Sequence, residues 1–226
     1  MMESLLAKWL DWLGIIQRDV QLLLSDRYIF RETMEIVEAN PNTHDPNDFV
    51  NWFVYQYIRS AAVRVRQLTD KDRQCVSLRN LLDDMERNAT SMTRAWYVGQ
   101  YPEEFRCDGS ADRFFDEWSG PGGSHVDPAT VRTDRDQLVD VCKAVKHYVD
   151  KSVAHRDRMP DSHLNVPTWG ELDRAIDTLD GTTCKCIRLL RREAFVRGLL
   201  PTWQYDWQKV FETAWKPSAR RGAPGG

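Results

Sequence analysis

The sequence has no apolar run long enough to cross a membrane as a helix, which takes about 18 to 20 consecutive apolar residues. Its most apolar stretch is the N-terminus, MMESLLAKWLDWLGII. There Lys8 and Asp11 interrupt the run before the apolar core of a signal peptide is complete. Both absences predict a cytoplasmic protein with no membrane partner.

Cysteine is scarce and irregularly spaced. The five cysteines lie at positions 75, 107, 142, 184 and 186. An odd number without regular spacing does not suit a disulfide framework and is typical of a reducing compartment. Cys184 and Cys186 form the pair CKC, but no second cysteine pair completes a zinc site. We expect no metal and no cofactor, and we interpret CKC as two small helix residues.

Motifs of several enzyme classes are also missing. The sequence has no P-loop, no HExxH and no G-x-S-x-G. The triplet HRD at 155–157 has the letters of the kinase catalytic loop, but Ser162 stands where that loop needs its metal-binding Asn. The formal net charge of −3 argues against a protein that coats nucleic acid by bulk electrostatics. A local basic groove remains compatible with it.

Helical periodicity dominates what is present. Apolar residues recur at spacings of three and four from Leu5 onward, and ANPNTHDPND ends this first helix near residue 40. A second helix is predicted from about 45–48 to Leu68, aromatic at its start and basic at its end. SLRNLLDDMERN predicts a third helix capped by Ser77.

The second half of the chain is less regular. Between residues 101 and 132 the period is lost, which predicts a long loop in which SADRFFDEW can form a short helix. A helix over 133–155 follows, with Thr133 or Asp134 as its cap. Thr168 caps a further long segment that Gly181 can split, and YDWQKVFETAW predicts a last short helix. With no alternating strand pattern, the class is all-α, an antiparallel up-and-down bundle in one domain over 1–215 with a flexible tail over 216–226.

The helix that ends in HYVDKSVAHRD concentrates charge near its C-terminus. On a wheel of 100° per residue, His147, Lys151, His155 and Arg158 share one flank beside the apolar stripe, and His155 is nearest to that stripe. Lys151, one turn before His155, favours the neutral imidazole that accepts a proton. The alternative is a helix end whose cationic residues only complement the macrodipole.

The ordered set RYIFRETMEIVEANP, FVNWFVYQYIRSAAVRVRQLTDKD, SLRNLLDDM and YVDKSVAHRDR resembles the AbiU-like abortive-infection branch of the HEPN superfamily, over about residues 15 to 200. The resemblance implies an all-α bundle that pairs as a homodimer in prokaryotic defence or toxin systems. Many HEPN proteins are ribonucleases that need no metal. Their histidine handles the proton of a ribose 2′-hydroxyl while an arginine upstream stabilises the phosphorane.

This chain matches half of that motif. His155 matches the histidine, but the window before it holds no arginine. The predicted catalytic set is therefore His155 with Arg156, Arg158 and Lys151. The predicted phosphate- or RNA-binding set consists of Arg59, Arg64, Arg66, His147 and Asp157.

Two functions follow from these residues. The first is a HEPN-like effector that binds or cleaves RNA across a dimer cleft, with a cognate antitoxin or defence-system protein as a further partner. The second is a non-catalytic HEPN-like scaffold or partner-binding subunit, in which Arg64 and Arg66 belong to a solvated face and Asp157 pairs with neighbouring arginines. A composite site requires helices 45–69 and 133–156 to lie side by side.

Overall fold

The structure, a computed structural model, describes residues 2–40, 48–153, 166–193, 195, 198–203 and 206–212. About three quarters of these residues are helical and none lies in a strand; an isolated antiparallel bridge joins Thr93 and His125. The predicted all-α class is confirmed. None of the helices in these ranges combines the length and apolar character needed to cross a bilayer. The predicted tail over 216–226 lies outside the described residues.

Five elements build the body of the bundle. They are α1 (Met2–Ala39), α2 (Asp48–Leu68), α3 (Leu78–Arg87), α7 (Pro128–Val141) and α9 (Trp169–Arg191). Each buries residues at helical spacing, as α1 does with Trp9, Leu13, Ile16, Val20, Leu23 and Leu24.

Side-chain pairs show that neighbouring helices run antiparallel. Phe30 of α1 stacks on Tyr57 at the middle of α2, whereas Asp19 of α1 lies beside Arg64 further along α2. In the same way α1 and α9 are antiparallel, since Arg27 pairs with Asp177 and Gln17 accepts a hydrogen bond from Arg191. The α3–α7 pair is joined by Arg132 and Arg135 on Glu86. The bundle is thus of the up-and-down kind.

The predicted long loop around 101–132 is largely wrong. Three helices lie there or next to it: α4 (Arg94–Val98), α5 (Glu103–Cys107) and α6 (Ser110–Ser119). The short helix predicted from SADRFFDEW is confirmed as α6, whose Phe115 and Trp118 are buried. Irregular chain is confined mainly to 120–127. Arg94 holds this region together, since its guanidinium binds Asp112, Asp116 and the Gly123 carbonyl.

The helix predicted over 133–155 starts earlier and is interrupted. Asp127, not Thr133 or Asp134, caps α7 by accepting a hydrogen bond from the Ala129 amide, with Pro128 as the first helical residue. After a turn at Cys142 the chain continues as α8 (Lys143–Tyr148) and then as a π-helical turn over Val149–Val153.

The remaining helix ends are close to their predicted places. Ser77 accepts a hydrogen bond from the Asn80 amide and Thr168 forms a complete capping box with Glu171, so both predicted caps are confirmed. The predicted split at Gly181 is wrong, because α9 runs unbroken from Trp169 to Arg191. The last short helix is described as α10 (Lys209–Glu212).

Candidate functional site

The π-helical turn over Val149–Val153 is the most unusual backbone feature beside the predicted site. Helical turns of this kind are rare and occur frequently at functional sites. The turn and α8 both pack on α2, so the predicted side-by-side arrangement with 45–69 is confirmed for 143–153, whereas α7 packs mainly on α3 and α9. His147 and Lys151 are exposed, as the predicted flank requires. Past Tyr148 the 100° wheel no longer applies, because the turn is wider than an α-helix.

Four residues of the predicted set, His155, Arg156, Asp157 and Arg158, lie outside the described residues. Val153, the last described residue of the turn, precedes His155 by two positions in the sequence. The residues around Val153 are therefore the described part of the predicted site.

Arg66 belongs to an ion-pair cluster that joins α2 to the π-helical turn. Its Nη1 lies 2.5 Å from Asp70 Oδ2 and its Nε lies 3.1 Å from Asp150 Oδ1. Lys146 Nζ lies 2.5 Å from the other Asp150 oxygen. Burial alone would raise the pKa of Asp150, but the hydrogen bonds from Lys146 and Arg66 outweigh it and lower that pKa.

This cluster has two cations and two carboxylates, so it is electrically balanced. Arg66 does reach the segment just before His155, where the sequence itself has no arginine, and it does so from another helix. Its donors are already engaged by Asp70 and Asp150. We interpret Arg66 as a brace that fixes the π-helical turn on α2, not as a free phosphate ligand.

Arg59 and Arg64 line an open groove over α2. The groove encloses about 440 Å³ and its other lining residues are Gln56, Ser60, Val63, Gln67 and Val153. Arg59 Nη1 donates a hydrogen bond of 2.7 Å to the Tyr55 hydroxyl, and its guanidinium lies over the Tyr55 ring. Within the described ranges no carboxylate lies at ion-pair distance from Arg59. No described carboxylate therefore compensates its charge at the groove.

Arg64 lies on the α1 side of the groove. Its two terminal nitrogens lie 3.9 Å from Asp19 Oδ1 and 3.7 Å from Asp26 Oδ2, beyond hydrogen-bond distance. Its Nε is buried and has no hydrogen-bond partner among the residues that the structure describes. Burial raises the pKa of Asp26 more than Arg64 lowers it. The Arg64 guanidinium is thus positioned by two long ion pairs, and its N–H groups are not saturated by acceptors among the described residues.

An aromatic pocket adjoins the groove. It encloses about 290 Å³ between α1 and α2, and it shares Gln56 and Ser60 with the groove. Phe30 and Tyr57 stack at its base with ring centroids 4.0 Å apart. Trp52, at its rim, is 55% exposed. The aromatic start of α2 was visible in the sequence, but the contribution of α1 was not, because Asp26 and Phe30 precede α2 by about twenty residues or more.

Comparison with known proteins does not identify the chain. No family model, curated protein or solved structure matches it. Among the described residues, no three His, Cys, Asp or Glu side chains are grouped so that they can hold a metal ion. The groove and the sequence resemblance are therefore the features of this chain that bear on its function.

Proposed function

We propose that this chain is a HEPN-like effector of a prokaryotic defence or toxin system, and that it binds RNA in the groove over α2. The observation that supports this most is Arg64, whose buried Nε lacks a hydrogen-bond partner among the described residues while its terminal nitrogens make only loose ion pairs. Arginine is well suited to phosphate, because its planar group presents several donors at once. Arg59 supplies a second cation in the same groove.

The chemistry that fits this arrangement is metal-independent cleavage of RNA. His155 transfers the proton of a ribose 2′-hydroxyl, and Arg59 and Arg64 offset the charge that develops on the phosphate. Arg156 and Arg158 are further phosphate ligands in this proposal, and Lys151 keeps the imidazole neutral. Val153 lines the groove two positions before His155, which is the link between groove and histidine.

A cleavage assay without metal tests the proposal. Labelled single-stranded RNA is incubated with the protein in a chelating buffer, beside the His155→Ala and Arg64→Ala variants. Loss of a proton-transfer group is expected to slow cleavage about 10²–10⁴-fold. Arg64→Ala is expected to weaken RNA binding about tenfold, since hydrogen bonds to charged groups are lost.

Arg132→Ala is the matched control. Arg132 is also a helical arginine, but it lies on α7, pairs with Glu86 and does not line the groove. It is expected to bind and cleave like the unmodified protein. If RNA is neither bound nor cut, or if all variants behave alike, the groove is not an RNA site.

The second candidate function is a non-catalytic scaffold or partner-binding subunit, and the exposed aromatic residues favour it. Phe49, Trp52 and Trp169 are each about half exposed around the aromatic pocket. Large exposed apolar side chains that lie together often mark protein interfaces. Under either function we propose a homodimer, and light scattering at micromolar concentration is expected to give twice the chain mass. A monomer mass would contradict that expectation.

A further inference from the structure

A second cavity with a cationic lining lies between α1, α3 and the loop that precedes α3. It encloses about 500 Å³. Its cationic lining residues are Lys71, Arg73, Arg79 and Arg87, and its acidic ones are Asp83 and Asp84. None of them belongs to the predicted site around His155.

The two carboxylates of this cavity are already compensated. Asp83 accepts a hydrogen bond of 2.9 Å from Arg135, which is not a lining residue. Asp84 pairs with Lys8 at 2.5 Å and with Arg87 at 3.0 Å. These two carboxylates therefore do not compensate the charges of the other three lining cations, Lys71, Arg73 and Arg79.

Those three cations have no partner in the part of the chain that the structure describes. No carboxylate there lies at ion-pair distance from Lys71, Arg73 or Arg79. The Nε of Arg79 is in addition buried and has no hydrogen-bond acceptor among the described residues. A buried donor without an acceptor costs free energy, which an anion in the cavity would recover.

The loop that carries Lys71 and Arg73 is fixed relative to Arg79. Asn80 follows Arg79 in the sequence and is buried. Its side chain donates hydrogen bonds to the carbonyls of Asp72 at 2.7 Å and Cys75 at 2.9 Å. Ser77 Oγ donates to the Asp70 carbonyl at 2.7 Å. The backbone that carries Lys71 and Arg73 is thus fixed before any ligand arrives, which lowers the entropic cost of binding.

We infer that this cationic pocket, formed by Lys71, Arg73 and Arg79, binds a phosphate group. Two arginines and a lysine with free donors suit the several acceptor oxygens of a phosphate. The inference does not depend on the proposed function. The pocket lies on the same edge of α1 as the RNA-binding groove proposed above, because Trp12, Asp19 and Asp26 follow one another at seven-residue spacing. Trp12 and Asp26 are about 21 Å apart along the helix axis.

Calorimetric titration with pyrophosphate tests the inference. Saturable binding is expected, weakened about tenfold or more in Arg79→Gln. Arg73→Ala is the second variant, since Arg73 lies on an exposed loop and its loss leaves the helices untouched. Arg132→Ala on α7 is the matched control and is expected to bind normally. Circular dichroism melting establishes that each variant is folded.

Two RNA strands then distinguish the source of the phosphate. Tighter binding of a 5′-phosphorylated strand than of its 5′-hydroxyl counterpart, dependent on Arg79, identifies an RNA end. Equal binding of both strands together with Arg79-dependent pyrophosphate binding identifies a small phosphate compound. The inference is overturned if pyrophosphate does not bind saturably, or if it binds to folded Arg79→Gln and Arg73→Ala as tightly as to the control.

Discussion

Replacing Asp84 by Ala is expected to destabilise the protein markedly, because this carboxylate joins α1 to α3. Trp9 Nε1 donates to Asp84 Oδ2 at 2.7 Å, and Lys8 and Arg87 bind the same carboxylate. Trp9 is completely buried, whereas the side chains of Lys8 and Arg87 are 39% and 60% exposed. After the substitution the two cations can turn to water, but the Trp9 N–H cannot.

The size of the loss follows from that difference. A buried donor left without its acceptor costs about 1–3 kcal/mol. The two exposed ion pairs add no more than about 1 kcal/mol together, as surface pairs usually do. The expected loss in the free energy of unfolding is therefore about 1–4 kcal/mol, or roughly 2–16 °C in Tm for a chain of this size.

Urea denaturation at several pH values measures this loss. Burial would raise the pKa of Asp84, but the hydrogen bonds from Lys8, Trp9 and Arg87 outweigh it and lower the pKa. A group with a lowered folded pKa stabilises the protein above its unfolded pKa, and that contribution is lost as pH falls through the folded pKa. The difference between the unmodified protein and Asp84→Ala is therefore expected at neutral pH and is expected to shrink in acid.

Asp136→Ala is the control for this measurement. Asp136 also lies within a helix and also pairs with an arginine, Arg135, but its side chain is 62% exposed. Its loss is expected to cost less than about 0.5 kcal/mol. The reasoning fails if Asp84→Ala costs no more than this control, or if its effect grows in acid.

Two further predictions concern the groove and the thiols. Burial raises the pKa of Asp26, so the charged form of this carboxyl is disfavoured in the folded state. Asp26→Asn is therefore expected to raise the free energy of unfolding at neutral pH. Denaturation curves should show this gain disappear as pH falls through the folded pKa of Asp26. Burial raises the pKa of Cys142 and Cys186 to about 12, whereas Cys75 and Cys107 are exposed. Alkylation at pH 8 followed by mass spectrometry is expected to label Cys75 and Cys107 first. Early labelling of the two buried cysteines would contradict this order.

Local sequence signals predicted the parts of the fold that local interactions decide. Ser77 and Thr168 are caps whose partners lie three residues away, so the sequence alone is sufficient to place them. The prediction over 101–132 failed for the opposite reason. The helices there are short, and α6 is held by Arg94, whose partners Asp112, Asp116 and Gly123 are 18 to 29 residues distant. No helical period appears when each helix has fewer than three turns.

In the candidate site, too, the contacts between residues distant in sequence could not be predicted from local signals. The sequence placed a basic flank on α2 and a charged end on the later helix, and their contact is confirmed for the described residues. It did not separate Arg66 from Arg64, which are two positions apart and point to different neighbours. Arg66 meets Asp150 of the π-helical turn, and Arg64 meets the two aspartates of α1.

That separation decides which arginine can act on a ligand. The carboxylates of Asp70 and Asp150 lie at hydrogen-bond distance from Arg66, and together they balance the charges of Arg66 and Lys146. An anion at Arg66 would therefore have to displace formed ion pairs. Around Arg64 the carboxylates are beyond hydrogen-bond distance, and one of them, Asp26, is more easily neutralised than an ordinary aspartate because burial raises its pKa. An incoming phosphate therefore meets less competition at Arg64. If RNA binds, its affinity should depend on Arg64 more than on Arg66 once the stability of each variant is taken into account.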